Sequence, residues 1–392
     1  MFDLLELRER YQRNLFDSVI PFWLNHSLDL ECGGQLNCLT RDGRVYDSRK
    51  YVWMMGRAVW MFSRLYNQVE RRQEWLDAAH SILEFLLRHA RDAEGRCYFS
   101  VTRDGRPVFF QRKPYAAFFL ALALIEYSKT GAPAEGYIEQ AKELFRLIRE
   151  WIDNATPLGR PHLPGQTPCR QLADVMVIAS LALELHEVEP EANYVRILEN
   201  CWSDARAHWL PEKRTLLENL PLDGSDYRES PVTRQLCPGS AMEVAWMLWH
   251  SLEKRNAETP ENVRFLLDVM EGSLEFGWDK DYGGLYYFLD SEGFPAQQLE
   301  ANMKLWWPHT EAIVALTLAY SKTKDPRWLT WLERIDEYTF RTFVDWEHGE
   351  WLGYCDRRGA PALDLKGGPY KGFFHVPRAL LFSMRRLDTV IS

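Results

Sequence analysis

Along most of this 392-residue chain the apolar positions recur at i, i+3, i+4 and i+7, the spacing of one face of a helix. The spacing predicts helices over residues 3–26, 52–66, 74–90, 115–129, 134–152, 171–187, 191–208, 240–254, 261–276, 309–322, 327–344 and 375–388, and these fall into pairs. Between pairs stands a recurrent form, an acidic loop containing glycine and then a short aromatic or β-branched run. It reads DLECGGQLNCL at Asp29, DAEGRCYFSV at Asp92, DKDYGGLYYFLD at Asp279 and DWEHGEWLGYCD at Asp345, with LPEKRTLLENL at Leu210 a weaker relative. A separation of roughly 60 to 70 residues suits one helix pair plus a hairpin as the repeating unit, and six such units use up the chain.

Helix pairs can stack into an open solenoid or close into a ring. YAAFFLALALIEY and DVMVIASLALEL are apolar on nearly all sides, as inner helices of a closed barrel would be. The hairpins follow outer-type helices throughout, so they would gather at one mouth. The expected fold is therefore all-α, an (α/α)6 barrel with short β-hairpins in the loops at one end, formed as a single domain over residues 1–392 with its site at that end.

Charge and composition narrow the partners. A net charge of -9 argues against nucleic acid and anionic membrane. The first residues, MFDLLELRERYQRNLF, carry charge from the third position and do not read as a signal peptide, and no apolar run is long enough to span a bilayer. A soluble, cytoplasmic protein is expected. The seven cysteines are scattered without a CxxC pair, which suits free thiols in a reducing compartment. The 16 Trp, 17 Tyr and 20 Phe exceed what a core needs and suit a carbohydrate cleft, where flat rings stack on sugars.

Three constellations could carry chemistry. YVWMMGRAVWMF sets Arg57 among aromatic and apolar side chains, either as a structural cap or as a clamp on a substrate oxygen. KLWWPHTEAIVAL crowds Lys304, Trp306, Trp307, His309 and Glu311 at a helix mouth; Glu311 in a first turn could equally be stabilising the helix dipole. LKGGPYKGFFHVPRAL delivers His375 through two glycine turns to the first residue of the last helix, where a histidine is suited to take and return protons. His26, His80, His89, His162, His186, His208, His250 and His348 form no ligand-spaced pair, so no catalytic metal is expected, and no phosphate loop or dinucleotide fingerprint is present. In LCPGSAMEVAW, a stiff turn leads to Ser240, which reads as the N-cap of the following helix.

FWLNHSLD, GRVYDSRKYVWMMGRAVWMFSRLYN, LTRDGRPV, GWDKDYGGLYYF, QLEANMKLWWPHTEA, GEWLGY and LKGGPYKGFFHVPRA together resemble the N-acylglucosamine 2-epimerase family, which includes renin-binding protein, cellobiose epimerases and mannose isomerases. The resemblance runs from end to end and implies the same (α/α)6 barrel. It also implies proton transfer at the carbon beside a sugar aldehyde through an enediol-type intermediate, with no cofactor required, although nucleotide (ATP) activation occurs in parts of the family. On this resemblance Arg57 holds the developing oxyanion, His375 is an acid/base, Glu243 and Glu311 orient groups or hold hydroxyls, and Trp307 is a stacking wall. Trp53, Asp174, Ser240, Lys304 and His309 complete the expected substrate-binding set.

The family resemblance calls for a second histidine in an NPGH motif, and this chain has CPGS, with Ser240 in that place. An unactivated hydroxyl cannot take a proton from carbon at neutral pH. Two other positions depart: Ala117 replaces an acid, and Asp174 introduces one into an apolar helix, either as half of a salt bridge to a nearby arginine or as a functional group. The expectation is a 2-epimerase acting on N-acetylglucosamine and N-acetylmannosamine, with Asp174, His309 or water replacing the missing base. The alternatives are an aldose–ketose isomerase or a 2-epimerase on a plain hexose such as mannose working from His375 alone, and a non-catalytic sugar-binding or regulatory homologue. A homodimer is a further possibility.

Overall fold

The computed structural model describes residues 3–111, 113–154, 156, 158 and 168–391; His162 lies outside them. The first helix runs as Leu4–Arg13, a π-helical segment Asn14–Val19 and Ile20–His26 without a break. With it, the described residues form twelve helices in six pairs. The inner members are Val52–Gln68, Tyr115–Ser128, Leu172–Val188, Pro238–Lys254, Trp306–Thr323 and His375–Ile391.

The two kinds of helix differ in what they bury. In the inner helix Tyr115–Ser128 every residue from Ala116 to Tyr127 is buried, because neighbours press on it from both sides and from outside. Its outer partner Tyr137–Asp153 buries only Ala141, Leu144, Phe145 and Ile148, one stripe at helical spacing. The ring closes where the last inner helix meets the first: Trp60 lies edge-on to Phe374 at 5.4 Å, and Phe62 and Phe373 rings are 4.4 Å apart. The N-terminal helix then packs outside the last one, with Arg8 Nε 2.8 Å from Asp388 Oδ1. This is a closed (α/α)6 barrel.

Short strands fasten one end. Lys50–Tyr51, Cys169–Gln171, Gln235–Leu236 and Lys304–Leu305 each lead into an inner helix. Each pairs antiparallel with chain that follows the outer helix of its own unit, as in Lys50 with Val101 and Lys304 with Cys355. Every such pairing draws a hairpin over the N-terminal end of an inner helix, and that end becomes the decorated mouth.

The acidic loops have a shared structural task. Asp29, Asp279 and Asp345 are buried and take Lys50 at 2.9 Å, Lys304 at 3.1 Å and Lys366 at 2.7 Å. The same lysines donate to loop carbonyls of Gly33, Gly284 and Glu350. Arg103, Arg357 and Arg41 add a second cation to each aspartate. Lys304 is thus one of three similar clasps joining a loop to the chain that leads into an inner helix, and it does not line the cavity, which corrects its assignment to the substrate-binding set.

Candidate active site

Because the first turns of the inner helices face the decorated mouth, residues far apart in sequence converge there. They line a cavity of about 1120 Å³ that takes in Arg57, Ser240, Glu243, Trp307 and His375 and continues between the helices. Its size slightly exceeds the usual range for small-molecule sites, about 300–1,000 Å³.

His375 begins its helix, as the sequence predicts, and its Nδ1 lies 2.8 Å from Glu311 Oε1. A carboxylate can only accept, so the proton sits on Nδ1 and Nε2 is left as the basic nitrogen. Arg378, one turn on, donates to Glu243 Oε1 and to Glu311 Oε1, each at 2.7 Å. Trp246 Nε1 donates to Glu311 Oε2 at 2.9 Å. Glu311 is therefore fixed from three sides and holds the imidazole in one tautomer and one orientation. Burial first, then the Arg57 and Arg378 charges, push the His375 pKa well below the ordinary histidine value, so it waits as a neutral base. Glu243, Glu311 and His375 offer atoms close enough to ligate a metal ion. The Arg378 guanidinium stands between the two carboxylates, where a cation would have to sit.

Arg57 is buried, and no carboxylate among the described residues lies within ion-pair distance of it. Instead its guanidinium lies 4.6 Å from the Trp53 ring, 4.2 Å from Phe119 and 5.0 Å from Phe374, and Nε has no hydrogen-bond partner. Desolvation lowers its pKa to about 9. The Glu243 and Glu311 charges act on it only from beyond ion-pair distance, so this desolvated cation is a ready partner for an oxyanion in the cavity. Trp53 holds its own place by donating Nε1–H to Pro369 C=O at 2.9 Å. Trp307 stands between Tyr287, edge-on at 6.0 Å, and His375 at 5.9 Å, and its half-buried face is available for stacking.

The turn at CPGS differs from its sequence reading. The helix starts at Pro238 with Cys237 as N-cap, so Ser240 lies inside the first turn and does not cap. Gly239 is required by a close approach: a Cβ there would come within 2.8 Å of Trp307 and Pro308 side-chain atoms. With no cap to serve, the Ser240 hydroxyl lines the cavity beside the Glu218 carboxyl.

Glu218 is a residue that sequence reasoning missed. Burial raises its pKa to about 7, against a smaller lowering by the Ser240 hydroxyl and with a further rise from Glu243. The signal was present in LPEKRTLLENL, where one acid interrupts an apolar run leading toward the barrel mouth.

Two more expected residues are held elsewhere. His309 is fully buried, its Nδ1 2.7 Å from Leu305 O and its Nε2 accepting from Leu285 N–H at 2.9 Å. Both nitrogens are spent on backbone, and burial lowers its pKa to about 3, so it is not a replacement base. Asp174 pairs with Lys113 Nζ at 2.9 Å, the salt-bridge reading with a lysine in place of the arginine. Its neighbours Ala173 and Val177 line the cavity while Asp174 itself does not.

The barrel holds an oriented histidine and an unpaired arginine in one cavity, and the relatives of the chain are carbohydrate epimerases. The N-acylglucosamine 2-epimerase (GlcNAc 2-epimerase) family profile matches residues 34–379, and the chain belongs to that family. It is 42% identical over 396 residues to the N-acylglucosamine 2-epimerase of Mus musculus, covering 98% of this chain and 92% of the relative. The Bos taurus protein of the same name is 41% identical over 395 residues, with the same coverage of 98% and 92%. Among solved structures, cellobiose 2-epimerase from Spirochaeta thermophila superposes with a TM-score of 0.83 at 25% identity, covering 99% of this chain and 98% of that one.

Proposed function

We propose that the protein interconverts N-acylglucosamine and N-acylmannosamine by removing and replacing the proton at C2. The observation that carries the reading is the pairing, in one cavity, of a neutral His375 oriented by Glu311 with an Arg57 that forms no ion pair among the described residues. Withdrawal of the C2 proton by Nε2 moves the C–H electron pair into an enediolate, and the negative charge gathers on the former aldehyde oxygen. The buried Arg57 neutralises that charge, Trp307 stacks on the sugar, and Glu311 stabilises the imidazolium formed. Identities of 41% and 42% to proteins named N-acylglucosamine 2-epimerase support the substrate pair.

Ser240 favours one second reading, an aldose–ketose isomerase or hexose epimerase served by His375 alone. Both are tested together by incubation with N-acetylmannosamine, N-acetylglucosamine, mannose, glucose and fructose in deuterated water, followed by proton NMR. Loss of the C2–H signal with appearance of the C2 epimer of an N-acyl sugar is expected. A ketose product would favour the second reading, and no exchange with any sugar would overturn both.

A further inference from the structure

A 2-epimerase must take a proton from one face of C2 and return one to the other, and His375 reaches only one face. We propose that Glu218 is the second proton-transfer residue, acting on the face of the sugar opposite to His375; this rests on the epimerase reading above.

The position comes from the backbone. Glu218 N–H donates to Gln235 C=O at 3.0 Å, and Leu172 N–H donates to Glu218 C=O at 2.9 Å. The residue is thereby pinned over the seam between the inner helices that begin at Leu172 and Pro238. In the order of inner helices around the ring, that seam lies two to three of six positions from His375 in one direction and three to four in the other, which is the far side of the mouth. Both side chains line the same cavity, and the Glu243 carboxylate acts electrostatically on each of them.

The carboxyl is also unspent. Its Oε1 is buried without a hydrogen-bond partner, and no cation among the described residues forms an ion pair with it. Among the described residues, the ionisable groups that interact with it are Glu243, Cys237, Tyr115 and Tyr287, none of which supplies a positive charge at neutral pH. Ser240 is small enough to leave Glu218 a path to the cavity, and its hydroxyl lies against the carboxyl. A group that titrates near neutrality is equally able to give and take a proton.

The protons balance with a single mobile proton on the pair. In one direction neutral His375 takes the C2 proton, and the C–H electron pair becomes the C1–C2 double bond of the enediolate. Protonated Glu218 then gives its proton to the other face of C2, the enediolate electrons form the new C–H bond, and the carbonyl at C1 is restored. Imidazolium and carboxylate result; the reverse reaction starts from that form.

The test compares wild type, Glu218→Gln and Glu218→Asp on N-acetylmannosamine and on N-acetylglucosamine in deuterated buffer. Glu218→Gln is expected to lose epimerisation at least 100-fold while one of the two epimers, and only that one, still exchanges its C2 proton with its configuration kept. Glu218→Asp, which keeps an ionisable group, is expected to recover part of the inversion. The proposal is overturned by epimerisation in Glu218→Gln within threefold of wild type, or by equal loss of inversion and exchange on both epimers in the Gln and Asp variants alike. A wild type that exchanges neither sugar overturns the epimerase reading and this proposal with it.

Discussion

The Nδ1 of His375 and the Oε1 of Glu311 are 2.8 Å apart, at the starts of two neighbouring inner helices separated by 64 residues. Neither side chain alone would define a base: the glutamate fixes which nitrogen is free, and the helix mouth fixes where it points. Replacing His375 by Asn, which keeps a group able to bond Glu311 but removes the base, is expected to lower kcat by about 10²- to 10⁴-fold with a small change in KM. Steady-state kinetics on N-acetylmannosamine checks this.

Arg57 is held by three rings and no carboxylate. Lysine has no planar face to stack there, so Arg57→Lys is expected to lose about 10²-fold or more in kcat, in spite of the conserved charge. Thermal unfolding of the variant should stay close to wild type, since no ion pair is broken.

The activity should fall at alkaline pH. His375 stays neutral down to well below its ordinary value, and the pair needs one proton, which Glu218 loses near pH 7. The plot of log kcat/KM is expected to bend down above about 7 with unit slope. Ser240→Ala removes the hydroxyl that favours the carboxylate, so the bend should move up by about one pH unit.

The same carboxyl couples to folding. Its folded pKa of about 7 is above the ordinary 4.5, so the native state holds a proton that the unfolded chain gives up. The associated loss of stability begins as pH rises past 4.5 and is complete above about 7, amounting to about 3 kcal/mol. The stability of Glu218→Gln relative to wild type should therefore increase between pH 4.5 and 7.5, measured by denaturant unfolding. A difference that does not change with pH would show that the carboxyl is ionised in the folded state.

Lys304 lies at the start of the helix that carries Glu311 yet should matter for stability and little for chemistry. Lys304→Met leaves buried Asp279 with Arg357 alone and is expected to cost about 3 kcal/mol. At temperatures where the variant is folded, its kcat should stay within about twofold of wild type. A large loss of kcat with unchanged thermal stability would return Lys304 to the site.

The described structure includes no helix long and apolar enough to cross a membrane. Much of the architecture was legible from the chain because helical periodicity and a repeated loop are local properties. The predicted helices 52–66, 115–129 and 375–388 correspond to Val52–Gln68, Tyr115–Ser128 and His375–Ile391. The all-round apolar character of Tyr115–Ser128 told inner from outer, since only an inner helix is covered on every side. His375, Glu311, Arg57 and Trp307 stood out by residue type at helix mouths, whereas Glu243 and the expected roles of all five came from the family resemblance.

What sequence spacing alone could not supply was direction. His309 and Glu311 are two residues apart on one helix, so they point about 200° apart around its axis; one bonds backbone outside the cavity and the other orients His375. Lys304 and His309 looked chemical because they are polar and crowded, and only the packed barrel shows their partners to be Asp279 and the Leu305 and Leu285 backbone. Glu218 looked incidental, since a single acid in the bend between two short strands has no periodic signature. Its burial beside Ser240 depends on pairing between segments that start at residues 169, 219 and 235, and that is a property of the closed ring.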